Sequence, residues 1–327
     1  MKQRNVEIIK LLTVVFVAVI TCVFGMQGCK ANSTSLRFAQ ISDVHLSTFE
    51  KDTTFKLLGS SIDLFDDAIV QVNNTSGLDF VMFTGDMINL PKENELLCFI
   101  KHANLINYPW YVVFGNHDVG YGCTLTKKLY FEILNGHSKN FCFKTPYYSF
   151  TPKKGYKVIA LDTIIDSKIT SQGEIPEEEL SWLKDELDNS KGDIVIIFTH
   201  TPIIEPYPSE KHRLINSYEV KLLLKKYDNP IIVCSGHYHT TKIIQENNVL
   251  YINTPSLVSY PNAFRVISIS PHRKNIYVDV YLKETSLKTL QTKAKNIILN
   301  GALLYGSEED RTGTFILPKK RDRRAIQ

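Results

Sequence analysis

Five short blocks of this 327-residue chain carry side chains that bind metals. In order they are Asp43-Val44-His45, Gly85-Asp86, Gly115-Asn116-His117-Asp118, Thr199-His200 and Gly236-His237-Tyr238-His239. Carboxylate, imidazole and amide oxygen together make a mixed N/O shell, suited to Zn, Mn or Fe and too rich in nitrogen for Ca or Mg. The candidates are too many for one tetrahedral ion. Two ions sharing a carboxylate account for the number, and such a pair activates a water for in-line displacement at phosphorus. Each residue also has a plainer reading: Asp ends many strands as a turn residue, and a lone His is usually a satisfied structural group. Five of the nine histidines fall in these blocks, however, and scattered structural histidines would not gather so.

What must position them is visible in the apolar runs just before them. Leu36–Ile41, Phe80–Phe83, Trp110–Phe114, Ile194–Phe198 and Ile231–Cys234 are near-continuous hydrophobic stretches, the pattern of central strands buried on both faces. Val158–Leu161 is a sixth. Between them lie helix-like segments. Leu57–Val72 keeps its apolar residues to one face, and Pro176 followed by Glu177, Glu178 and Glu179 opens another helix. Strands alternating with helices predict an α/β architecture, in which ligands gather at the carboxyl ends of strands. Shorter runs follow at Val249–Ile252, Phe264–Ile267 and Ile276–Tyr281, the last alternating as an antiparallel ribbon does. A terminal helix is expected over Ser286–Leu304.

The five ordered blocks resemble the calcineurin-like metallophosphoesterase superfamily over residues 36 to 270, and Phe38 to Leu46 is most similar to its bacterial cyclic-nucleotide phosphodiesterase-like branch. The resemblance implies a four-layer α/β/β/α sandwich with ligands on loops after strand ends. It also implies that Asp43, His45 and His239 hold one metal, that Asn116, His200 and His237 hold a second, and that Asp86 bridges them. The ions would be divalent or mixed-valence Mn, Fe or Zn. His117 and Asp118 would be the catalytic residues, His117 lying over the substrate phosphate and oriented by Asn89 or Asp118. Asn89 stands three residues after Asp86, where purple acid phosphatases have a metal-binding Tyr, so a tyrosinate-bound iron site is not expected. The implied activity is hydrolysis of a small phosphoester by a metal-bridging hydroxide, on a phosphodiester or nucleotide. A phosphomonoesterase and a non-catalytic scaffold of the same fold stand as the alternatives. Tyr207 and His212 read either as surface residues or as lining of the substrate entrance.

The ends of the chain have another character. Lys2, Arg4 and Lys10 precede the apolar run Leu11–Met26, the layout of an export signal. Gly28-Cys29 then resembles a bacterial lipoprotein cleavage box, and an uncleaved anchor and plain secretion are the other readings. In each case, residues 1–28 are expected to export the chain or hold it to a membrane, with 29–35 as a tether. Residues 36–285 form the enzyme domain, and 286–327 a helix and basic tail. The net charge of +4 divides unevenly, because residues 1–28 carry +2 and Lys319–Arg324 carries +4. The body between is slightly acidic, which offers no general surface for nucleic acid. Six cysteines are too few for a disulfide scaffold, although Cys123 and Cys142 are a candidate pair, with Cys98 and Cys234 as buried thiols.

Overall fold

The structure, a computed structural model, describes residues 35–320. The export segment, Cys29 and Arg321 to Arg324 of the basic tail lie outside the described residues. Among the described residues the strands are β1 (Leu36–Ile41), β2 (Phe80–Thr84), β3 (Trp110–Val113), β4 (Tyr148–Phe150), β5 (Tyr156–Ala160) and β6 (Ile194–Phe198). They continue as β7 (Ile231–Ser235), β8 (Lys242–Glu246), β9 (Val249–Asn253), β10 (Ala263–His272), β11 (Asn275–Glu284) and β12 (Thr312–Pro318). The helices are α1 (Ser61–Asn73), α2 (Glu93–Ala103), α3 (Lys127–His137), α4 (Glu177–Asn189), α5 (Ser217–Leu224), α6 (Lys288–Ile297), α7 (Gly301–Tyr305) and α8 (Glu308–Arg311).

Two six-stranded sheets result, ordered β12-β11-β10-β1-β2-β3 and β4-β5-β6-β7-β9-β8. β1, β2 and β3 run parallel, as do β5, β6, β7 and β9, and the remaining pairings are antiparallel. The period of two in a strand assigns each face its layer. Val158, Ile196, Phe198, Ile232 and Ile252 join the core between the sheets. Their neighbours Ile159, Ile197, Val233 and Tyr251 point the other way, onto Leu183 and Leu187 of α4 and Val220 and Leu224 of α5. Across the sheet gap, Phe198 meets Phe38 edge-on at 5.4 Å between ring centroids. On the far side of the first sheet, Phe83 packs against Phe65 of α1 and Phe99 of α2. The layers are therefore helices, sheet, sheet, helices, as the motifs implied.

The C-terminal part departs from the expectation of one helix and a tail. Ile298 to Asn300 break the helix expected over Ser286–Leu304 into α6 and α7, and the chain then turns back through α8 into β12. β12 pairs with β11 from Thr312↔Tyr281 to Pro318↔Asn275, and Leu317 is fully buried beneath it. The sheet thus continues past residue 285. Arg265 of β10 explains part of this. Its guanidinium is wholly buried and donates to the carbonyls of Asn253, Asp310 and Arg311 at 3.1, 2.7 and 3.4 Å. One buried cation thereby ties the end of β9 in the second sheet to the C-terminal segment. All four described cysteines are free, so Cys123 and Cys142 are not paired, and Cys98 is only half-buried.

Candidate active site

The parallel strands of both sheets deliver their last residues to one place. β1 leads into Asp43 and His45, β2 into Asp86, β3 into Asn116 and His117, β6 into His200, and β7 into His237 and His239. The loops are laced together by backbone and side-chain bonds. Asp43 N–H donates to Gly85 O at 3.1 Å, His45 N–H to Asp86 O at 2.8 Å, and His237 N–H to Asp43 Oδ2 at 3.1 Å. His200 Nδ1–H donates to Thr84 O at 2.8 Å, crossing from the second sheet to the first and turning Nε2 toward the site. The glycines of the blocks make this approach feasible. A Cβ at Gly236 would collide with Ser42 Oγ, and one at Gly85, where φ is +88°, with the His200 ring. Five residues of the cluster, Asp43, His45, Asp86, His237 and His239, themselves hold φ between 42° and 70°. A non-glycine residue there carries about 1–2 kcal/mol of strain, and such strain concentrates at functional sites.

The side chains form two groups with one member in common: Asp43, His45, Asp86 and His239, and Asp86, His200 and His237. Within each, the possible ligand atoms lie within 4.8 Å of one another. His45 Nε2 is 3.2 Å from His239 Nε2 and 3.4 Å from Asp86 Oδ2. His239 Nε2 is 3.2 Å from Asp43 Oδ1. In the second group His200 Nε2 lies 3.5 Å from Asp86 Oδ1, 3.1 Å from His237 Nδ1 and 3.2 Å from Asn116 Oδ1. The structure thus brings the implied ligand residues together, with Asp86 common to both groups and Asn116 beside the second. They also fit metal on chemical grounds. Burial pushes the His45, His237 and His239 rings below their usual pKa, so their lone pairs are free to bind. Burial opposes ionisation of Asp43, yet its close approach to His239 holds its carboxyl below the usual range. His237 Nε2 is buried with no hydrogen-bond partner, a cost that a cation or ligand would relieve.

His117 stands beside the cluster, its ring 4.6 Å from that of His45. Its Nδ1–H donates to the backbone carbonyl of Asn89 at 2.7 Å, so the main chain of Asn89, and not its side chain, orients the ring. The Asn89 amide is turned to Glu50 instead. Asp118, expected as a catalytic residue, is fully buried and accepts from Gly115 N–H at 2.8 Å and Ile88 N–H at 3.1 Å. Burial, then repulsion by Asp86, pushes its carboxyl well above the usual pKa. It shapes the loop that carries His117 and is a positioning residue.

Sequence reasoning missed Lys56. Its ammonium lies 3.3 Å from both His45 Nδ1 and His117 Nε2, and Phe55 beside it stacks on His239 at 5.0 Å. Burial lowers the Lys56 pKa, against the attraction of Asp86, Asp43 and Glu50. No motif signal marks this lysine, which lies in an ordinary mixed-charge stretch. His212, open between two readings, is half-buried with its ring 5.4 Å from His237. Tyr207 packs against Tyr238 at 5.0 Å.

A phosphoesterase architecture of this kind has known relatives. The family model for calcineurin-like phosphoesterases matches residues 36–241, and the chain belongs to that family of phosphoester hydrolases. Over 224 residues it is 26% identical to a protein of Arcobacter nitrofigilis named a probable glycerophosphodiester phosphodiesterase, covering 66% of this chain and 77% of that one. A probable cyclic nucleotide phosphodiesterase of Coxiella burnetii is 22% identical, over 68% of this chain and 83% of its own. Tartrate-resistant acid phosphatase type 5 of Rattus norvegicus is 28% identical, over 68% and 73%. Among solved structures, a dimetal phosphatase from Danio rerio has the same fold. Its TM-score is 0.59 at 16% identity, covering 77% of this chain and 99% of that one.

Proposed function

We propose that the chain is a dinuclear metal-dependent phosphodiesterase acting on a small phosphodiester or nucleotide. The observation that carries this is the pair of buried acid–histidine groups sharing Asp86, with His117 beside them at the edge of an open cleft. Asp43, His45, Asp86 and His239 would hold one ion, and Asp86, Asn116, His200 and His237 the other. When bound, two such ions supply Lewis acidity toward phosphoryl oxygens and a deprotonated water at neutral pH.

The chain's own residues do the rest. Thr84 O fixes the His200 tautomer, which leaves Nε2 free as a ligand. Asn89 O does the same for His117, so its Nε2 faces the site and can take or give a proton at the ester oxygen. Lys56 adds a positive charge at the position where a phosphoester anion would approach His117. The two serine hydroxyls that touch the cluster, Ser42 on Asp43 and Ser259 on His239 Nδ1, are fully buried and closed to a substrate, which agrees with direct attack by water.

The test is turnover of bis-p-nitrophenyl phosphate beside p-nitrophenyl phosphate by chain loaded with Mn, Fe or Zn. The diester is expected to be the better substrate. Preference for the monoester would instead support a phosphomonoesterase, the reading that the acid phosphatase relative favours. Asp86→Ala and His239→Ala should each lose stoichiometric metal by elemental analysis and at least about a hundredfold in kcat/KM, since loss of a group that merely supports a metal ligand already costs about 10–100-fold. Full turnover by either metal-poor variant would refute the assignment.

A further inference from the structure

Beside Asn116 and His117 opens a cleft of about 720 Å³, within the usual size range of small-molecule sites. Its other walls are the segments Ile169–Gln172 and Glu210–Arg213. These walls are fastened to each other. Gln172 Nε2 donates to Glu210 O at 2.8 Å, Gly173 N–H to Arg213 O at 3.0 Å, and Ile215 N–H to Gly173 O at 2.8 Å. The cleft is therefore preformed. Its lining residues are polar in type, Thr170, Ser171, Gln172, Lys211 and Arg213 among them, with Ile169 its single aliphatic side chain. Glu210 is the one carboxylate on the rim, and among the described residues neither Lys211 nor Arg213 forms a salt bridge. Two cations without an ion pair thus line the same cleft as His117, and a guanidinium fork and an ammonium meet phosphate oxygens well.

We propose that this cleft binds a second phosphate of the substrate, with Lys211 and Arg213 as its cationic wall. The preferred substrate is then a phosphoester that carries another phosphate group on one side of the scissile bond. The proposal rests on the phosphodiesterase reading for the scissile centre, while the subsite itself stands on the cleft.

Two compounds that differ only in that group test it: thymidine 5′-(p-nitrophenyl phosphate) and its 3′-phosphorylated counterpart. Metal-loaded full chain should show a kcat/KM at least about tenfold higher for the 3′-phosphorylated compound, as two partly exposed ion pairs allow. In Lys211→Gln/Arg213→Gln that ratio should fall toward one. Calorimetric titration of metal-free chain with thymidine 3′,5′-bisphosphate is the second arm, with about tenfold weaker binding expected for the double variant. Equal kcat/KM for both compounds in the wild type, or a ratio untouched by the double substitution, overturns the subsite. If no metal supports turnover of either compound, the phosphodiesterase reading fails, and the titration alone then decides the subsite. Equal affinities of wild type and variant overturn it there.

Discussion

Lys56 shows how a site can depend on a residue that no motif announces. Its ammonium is half-buried between His45 and His117 and has no carboxylate within ion-pair distance among the described residues. Such a charge is costly unless an anion completes it. Replacing it by Met keeps the bulk and removes the charge. Lys56→Met should raise KM for bis-p-nitrophenyl phosphate by about tenfold, the order of a charge-assisted contact, with a smaller change in kcat. Steady-state kinetics checks this, and an unaltered KM would remove Lys56 from substrate binding. The five left-handed residues make a related point. Asp, Asn and His are the non-glycine residues found most often in that backbone, although each still carries strain there. His45, His237 and His239 hold it because the loops around them are pinned on several sides.

At the scale of elements, α4 offers a measurement independent of the metal. Glu179, in its first turn, is buried and accepts from Asp162 N–H at 2.7 Å. Burial, then the Asp162 charge, raises its pKa from the usual 4.5 to about 9. The folded chain therefore keeps this proton where the unfolded chain has lost it, so stability falls as pH rises from about 4.5 to about 9. Glu179→Gln retains the acceptor and abolishes the titration. Its Tm relative to wild type should climb steadily between pH 5 and pH 9, and a constant difference across that range would contradict the pKa. The strands that carry the site were legible because each is buried on both faces and so reads as an unbroken apolar run. The loops were legible through residue type, since few roles other than metal binding call for Asp, Asn and His together at strand ends. Less legible were the half-exposed edges. β8 and β12 are mostly intermediate or exposed, and β4 is three residues long, so none leaves a strong pattern. The orientation of His117 by a main-chain carbonyl leaves no residue signature at all.

For the whole molecule, the C-terminal segment is part of the fold and not an appendage. A chain ending at Gly306 would lose β12 and with it the Asp310 and Arg311 carbonyls that hold the Arg265 guanidinium. Leaving a buried charge short of partners typically costs about 3–5 kcal/mol, a large share of the roughly 5–15 kcal/mol that stabilises a domain. The truncated chain should melt at least about 5 °C lower by circular dichroism, or lose cooperative unfolding, whereas an unchanged Tm would show β12 to be dispensable. The order of the first sheet has a temporal side as well. β1 lies between β2 and β10, with Leu36 opposite Ile269, more than 230 residues later. At about 5–20 residues per second, the ribosome needs roughly 10–50 s to make the partner for that edge. For that interval the edge of β1 that will meet β10 is an unclosed hydrophobic template.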